Sequence, residues 1–165
     1  MKKSSLSILI SLVLCFTASA QNKSLPSVNV KTLKGKKVNI QSIENNGHPI
    51  VLSFWATWCK PCKKELNAIA EVYEEWQDET GVKLIAISID DTRGVNKVAP
   101  EVNSAGWEYD ILLDTNRDLA RALGITTVPH TFLLDEKLNI VWDHKGYVDG
   151  DEEELYNQIH TISKK

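Results

Sequence analysis

Only three cysteines occur in the 165 residues, which excludes a scaffold stapled by several disulfides. Glycine and proline are sparse too, at 8 and 5, and leave no room for long low-complexity tracts. No basic excess is present: the formal charge is −3, so nucleic-acid binding has no electrostatic footprint. The chain has no Gly-rich phosphate loop and no second Cys-x-x-Cys. The histidines His48, His130, His144 and His160 lack paired ligand spacing, and a structural zinc site usually takes four ligands. No metal and no dissociable cofactor are expected. What is present is an ordinary globular composition, 42% hydrophobic and 25% charged, of a length that suits one domain.

The first twenty residues stand apart. Lys2 and Lys3 precede an apolar run, Leu6 to Phe16, interrupted only by Ser7 and Ser11. Thr17-Ala18-Ser19-Ala20 then offers the small residues that a signal peptidase reads. The run is about half the ~20 residues needed to span a bilayer, so residues 1–20 are expected to be a signal peptide cleaved between Ala20 and Gln21. The expected location is exported, periplasmic or otherwise extracytoplasmic. Cys15 is preceded by Leu14, not by the small residue that lipidation favours. Cleavage removes Cys15, Lys2 and Lys3, leaving residues 21–165 with 17 basic and 22 acidic groups, a charge of −5. Two cysteines stay behind, Cys59 and Cys62. A bridge across two residues closes almost no loop in the unfolded chain and stabilises little. The pair is therefore read as redox-active.

Along the rest of the chain, residues 21–27 are expected to form an exposed leader. Ser27 to Lys31 and Lys37 to Ile40 alternate around Lys34-Gly35-Lys36 and predict a hairpin. Ile50 to Trp55 suits a buried central strand. Leu66, Ile69, Ala70, Tyr73 and Trp76 recur at helical spacing and predict a helix from Pro61 to about Gln77, ended by Gly81. Val82 to Ile89 predicts a second strand. Val95 to Ala105 predicts a helix that Pro100 kinks or delays. A short strand over Tyr109 to Leu113 and a helix over Arg117 to Leu123 follow. The chain finishes with a hairpin, Thr131 to Leu134 with Asn139 to Trp142, and a helix with Leu155, Ile159 and Ile162 on one face. This order implies a three-layer α/β domain.

The chemistry is concentrated in Phe54-Trp55-Ala56-Thr57-Trp58-Cys59-Lys60-Pro61-Cys62. A strand leads directly into Cys59 and a helix leaves directly after it. Unpaired N–H groups and the positive dipole end at a helix N-terminus stabilise a thiolate. Cys59 is the expected nucleophile and Cys62 the resolving cysteine. Pro61 fits the first helical turn, where its missing N–H costs nothing. The charge of Lys60 favours the thiolate or is simply solvated. Trp58 offers apolar contact to unfolded substrates, whereas Trp76, Trp107 and Trp142 read as packing. Lys63-Lys64 and Asp151 to Glu154 read as solvated helix faces.

This run resembles the active site of the thioredoxin superfamily, specifically its TlpA/ResA branch, and the resemblance covers residues 25–163. It implies a thioredoxin fold, a central mixed sheet flanked by helices, with an N-terminal β-hairpin extension. Val128-Pro129-His130-Thr131-Phe132 is similar to the family's cis-proline loop. That similarity implies a cis Pro129 and a substrate-pairing backbone at Val128. Thioredoxin itself carries a buried Asp six residues before the first cysteine, where Ser53 stands here. The TlpA/ResA branch carries a Glu three residues after the second cysteine, matched by Glu65. The resemblance implies that Glu65 relays the proton of Cys62; the residue pattern alone equally allows a solvated acid in the first helical turn. His130, where the family often has Thr, tunes the thiolate or belongs to the loop's hydrogen bonding. The implied activity is thiol–disulfide exchange with exported cysteine-containing proteins, as a reductant recharged by a membrane thiol-electron donor, in cytochrome c maturation or a related pathway. The expected state is a monomer. A peroxiredoxin-like peroxide reductase and a redox-inactive binding module are the alternatives.

Overall fold

The computed structural model describes residues 23–164. The expected signal peptide and its cleavage point lie outside the described residues. Eight strands form one mixed sheet: β1 Lys23–Ser24, β2 Asn29–Thr32, β3 Lys37–Asn39, β4 Ile50–Trp55, β5 Lys83–Ser88, β6 Asp110–Leu113, β7 His130–Leu134 and β8 Asn139–Lys145. Their spatial order is β1-β8-β7-β4-β5-β6-β2-β3. Four α-helices accompany them: α1 Lys60–Thr80, α2 Val98–Ala105, α3 Asp118–Ala122 and α4 Asp151–Ser163.

The centre of the sheet is built by β4, all six of whose residues are buried. It pairs in parallel with β5 and antiparallel with β7, so it has no exposed edge. Each fully buried Val, Leu, Ile or Phe contributes ~1.5–3 kcal/mol, which makes this strand the natural anchor of the core. Pro49, which precedes it, accepts from the Lys83 N–H of β5 at 3.1 Å. α1 covers one face with Leu66, Ile69, Tyr73 and Trp76, the stripe that its spacing predicts. The helix starts one residue earlier than expected and runs three further. Its last turn, Gln77 to Thr80, is polar and gives no periodic signal, and Gly81 ends it in the left-handed conformation at φ 67°.

The remaining elements follow the pattern with informative differences. Val82 and Ile89 are buried but lie just outside β5. The delayed start at Pro100 is what occurs: a 3-10 turn over Val95–Lys97 precedes α2, leaving Pro100 in the first α-helical turn. The expected exposed leader is incorrect. Lys23 and Ser24 pair with Ile140 and Asn139 of β8, and Leu25 is buried with its carbonyl accepting from Gln41 Nε2 at 2.6 Å. One buried leucine amid polar neighbours leaves too short a pattern to read as a strand. The α4 start is not a freely solvated acidic face either, since Asp151 accepts from the Val148 N–H and pairs with His144.

Candidate active site

The site lies where β4 ends and α1 begins. Cys59 is the N-cap of α1, and its Sγ accepts from the Cys62 N–H at 3.3 Å. A sulfur thus satisfies one of the orphan donors of the helix start. Cys59 and Cys62 are joined as a disulfide, with Cα atoms 5.4 Å apart. Cys62 is fully buried and Cys59 nearly so. Lys60 and Pro61 occupy the first two helical positions, and Lys60 is exposed. Trp58, immediately before Cys59, is 68% exposed, an unusual position for so large an apolar group.

The second wall of the site is the loop before β7. The Val128–Pro129 peptide bond is cis. The Val128 carbonyl oxygen lies 3.7 Å from Cys59 Sγ, and the Pro129 carbonyl accepts from the Gly146 N–H at 2.9 Å. Cys59 and Val128 are thereby brought together, with Trp58 and the buried Pro129 next to them in the chain. His130 opens β7 and is buried, with Nε2 2.9 Å from Asp143 Oδ2 and its ring stacked on Phe132 at 4.2 Å. Strand alternation turns its side chain to the face opposite that of Thr131.

Glu65 lies one helical turn beyond Cys62 and is 5% exposed. The solvated reading of this residue is therefore wrong. Its Oε2 accepts from Ser53 Oγ at 3.0 Å and its Oε1 from Thr131 Oγ1 at 2.7 Å. Ser53 and Thr131 are cross-strand partners on β4 and β7, so both hydroxyls rise from one face toward α1. Burial pushes the carboxyl up to about 7, against the two hydroxyl hydrogen bonds, which pull it down. The carboxyl is thus poised to exchange a proton near neutrality. In the sequence Ser53 stands out only as a departure from thioredoxin, and Thr131 does not stand out as a partner of Glu65. The available signal was a hydroxyl at an inward position of an otherwise apolar strand, which needs a partner when buried.

Asp90, Thr57 and Ser88 likewise do not stand out in the sequence as site residues. Asp90 follows β5 and ties down the turn that leads to Cys59 through hydrogen bonds to Thr57. Among the described residues, no group of three or more His, Cys, Asp or Glu is placed to hold a metal ion. No helix of the described residues is long and apolar enough to cross a membrane.

The sequence model of the AhpC/TSA family matches residues 21–143, most of the chain. The chain belongs to the AhpC/TSA family. Thiol-disulfide oxidoreductase ResA of Bacillus thuringiensis (strain Al Hakam) is 33% identical over 119 residues, covering 72% of this chain and 66% of ResA. Sporulation thiol-disulfide oxidoreductase A of Bacillus subtilis (strain 168) is 32% identical over 136 residues, with coverage of 79% and 80%. An uncharacterized thioredoxin-like protein from Porphyromonas gingivalis, solved in solution, is 47% identical with a TM-score of 0.77. That match covers 85% of this chain and 92% of the other. This member of the AhpC/TSA family has the thioredoxin-like fold and is a ResA-like thiol–disulfide oxidoreductase.

Proposed function

We propose that this protein reduces disulfides in exported cysteine-containing proteins, with Cys59 as nucleophile and Cys62 as resolving thiol. The observation that carries the reading is the Cys59–Cys62 disulfide at the N-terminus of α1, with Cys59 Sγ against the carbonyl of Val128. In the reduced protein the Cys59 thiolate attacks a substrate disulfide, forming a mixed disulfide and releasing one substrate thiolate, which takes a proton from water. Cys62 gives its proton to Glu65, and its sulfur attacks Cys59 Sγ. The Cys59–Cys62 disulfide forms, the second substrate sulfur leaves and is protonated, and two electrons have passed to the substrate. Buried Glu65, at about 7, has the proton affinity this step needs near neutral pH. The disulfide itself serves as the redox group, and no dissociable cofactor is required.

Trp58, Val128 and Pro129 meet the substrate. Apolar contact with Trp58 favours unfolded or partly folded chains, and the Val128 backbone supplies hydrogen bonds independent of substrate sequence. Lys60 and Pro61 tune the couple from the first turn, and any influence of His130 comes from the far face of β7. Export rests on the N-terminal pattern of residues 1–20. In an oxidising compartment a reductant must be recharged, which calls for a membrane thiol-electron donor. Cytochrome c maturation is one pathway that uses such a reductant.

Equilibration of the Cys59–Cys62 couple with glutathione tests the direction. A potential in the reducing half of the interval between about −270 mV for thioredoxin and −120 mV for DsbA is expected. A value near the DsbA end would reverse the assignment to an oxidant.

A further inference from the structure

Asp90 is a buried carboxylate that the exchange steps leave unused. It is 2% exposed. Its Oδ2 accepts from the Thr57 backbone N–H at 2.9 Å and from Ser88 Oγ at 2.8 Å, and its Oδ1 accepts from Thr57 Oγ1 at 2.7 Å. Its own N–H donates to Ser88 Oγ at 3.1 Å. Gly94 closes over the group: a Cβ there would stand 2.9 Å from Oδ1. All three donors to the carboxylate are neutral. They disperse its charge without cancelling it, and an uncompensated buried charge is costly to keep.

The turn that Asp90 holds ends at the nucleophile. Thr57 lies two residues before Cys59, and the Cys59 N–H closes the turn on the Ala56 carbonyl at 3.0 Å. A neutral acceptor would serve to brace Thr57, yet a carboxylate stands there. The helix start favours a thiolate at Cys59. A nearby anion opposes it.

We infer that Asp90 is a positioning residue for Cys59, holding the Ala56–Cys59 turn through Thr57 and biasing the couple toward the disulfide by its negative charge. The inference rests on the exchange reading above and deepens it. An anion hydrogen-bonded to the turn that carries the forming thiolate makes Cys59 keep its proton to higher pH and makes the reduced protein a readier electron donor. The charge acts in the direction a reductant requires.

The reduced protein is tested by the pH dependence of Cys59 alkylation with iodoacetamide, together with the equilibrium of the couple with glutathione. Asp90→Asn removes the charge and keeps an oxygen for the Thr57 N–H. The thiolate fraction of Cys59 at pH 7 should rise about threefold, and the equilibrium should move about threefold toward the dithiol, ~14 mV at ~30 mV per tenfold. Thr57→Val removes one donor and leaves the charge less dispersed, so both readouts should move the opposite way. A side chain that merely braced the turn would shift the two variants in the same direction. Shifts of the same sign, or no shift in Asp90→Asn, overturn the inference.

If Asp90→Asn does not fold, Thr57→Val decides alone, and an unchanged or raised thiolate fraction overturns it. The other ionisable side chains on elements meeting at Cys59 include Lys60, Lys63, Lys64 and Glu65 of α1 and His130 of β7, and both variants leave them in place. Alkylation requires no exchange partner. A wild-type couple that failed to equilibrate with glutathione would therefore count against the exchange reading while the alkylation comparison still judged Asp90.

Discussion

At the scale of single residues, Glu65 is where burial and chemistry meet. Its carboxyl is raised in the folded protein from an ordinary 4.5 to about 7, first by desolvation. The folded state therefore holds this proton longer than the unfolded chain. The associated stability is complete below about pH 4.5 and is lost as pH climbs through 7, a difference of about 3 kcal/mol. Urea denaturation at pH 5 and pH 8 should show this loss in the wild type, and Glu65→Gln should flatten it. The pH dependence of Cys62 reactivity should flatten as well; an unchanged profile would remove Glu65 from the proton relay. Thr131→Val deletes the donor to Oε1 and should cost ~1–3 kcal/mol, more at pH 8 than at pH 5, because a donor to a charged group is worth more. Trp58→Ala should leave stability within about 0.5 kcal/mol, since the side chain is exposed, while slowing reduction of an unfolded disulfide-bonded protein several-fold. Insulin reduction beside a thermal melt separates the two effects. The cysteines were legible because their meaning lies within four residues. Glu65's partners were not, because Ser53 and Thr131 stand 12 and 66 residues away and meet only once β4 and β7 pair.

At the scale of elements, α1 has sharply defined ends. Its start is fixed by the Cys59 cap and the early Pro61, its finish by Gly81 in a left-handed conformation. A Cβ at Gly81 would fall 2.5 Å from His48 Nδ1, so Gly81→Ala meets both a backbone and a packing penalty. Chemical denaturation should find this variant less stable by more than ~1 kcal/mol. The apolar stripe of α1 was readable from its 3.6-residue period, as was β4 from its continuous burial-prone run. The last turn of α1 was not, because Gln77 to Thr80 is polar and is held by backbone geometry and the Thr80 hydroxyl bond to the Trp76 carbonyl. Pro100 marks an obstacle to the helix in the sequence, but only the structure separates a kink from a delayed start.

At the scale of the whole molecule, the order of strands and helices gave the architecture, because alternation of periods survives in a single sequence. What it concealed was the closure of the sheet by β1. Leu25 is buried beside the short pairing of Lys23 and Ser24 with β8, and Leu25→Ala should cost ~2–4 kcal/mol in a denaturant titration. A fully exposed leader would instead tolerate the change. The same strand order has a bearing on how the edges of the sheet resist the addition of further strands. The sheet ends in β1, two residues long, on one side and in β3, three residues long with Lys37 at its start, on the other. Extended, sticky chains propagate by adding strands to long open edges, and short charged edges blunt that templating. The β3 edge is blunted in this way, whereas β1 pairs only with Asn139 and Ile140 and leaves Val141 to Lys145 of β8 as the longer open edge, where the exposed charges of Asp143 and Lys145 are what oppose strand addition.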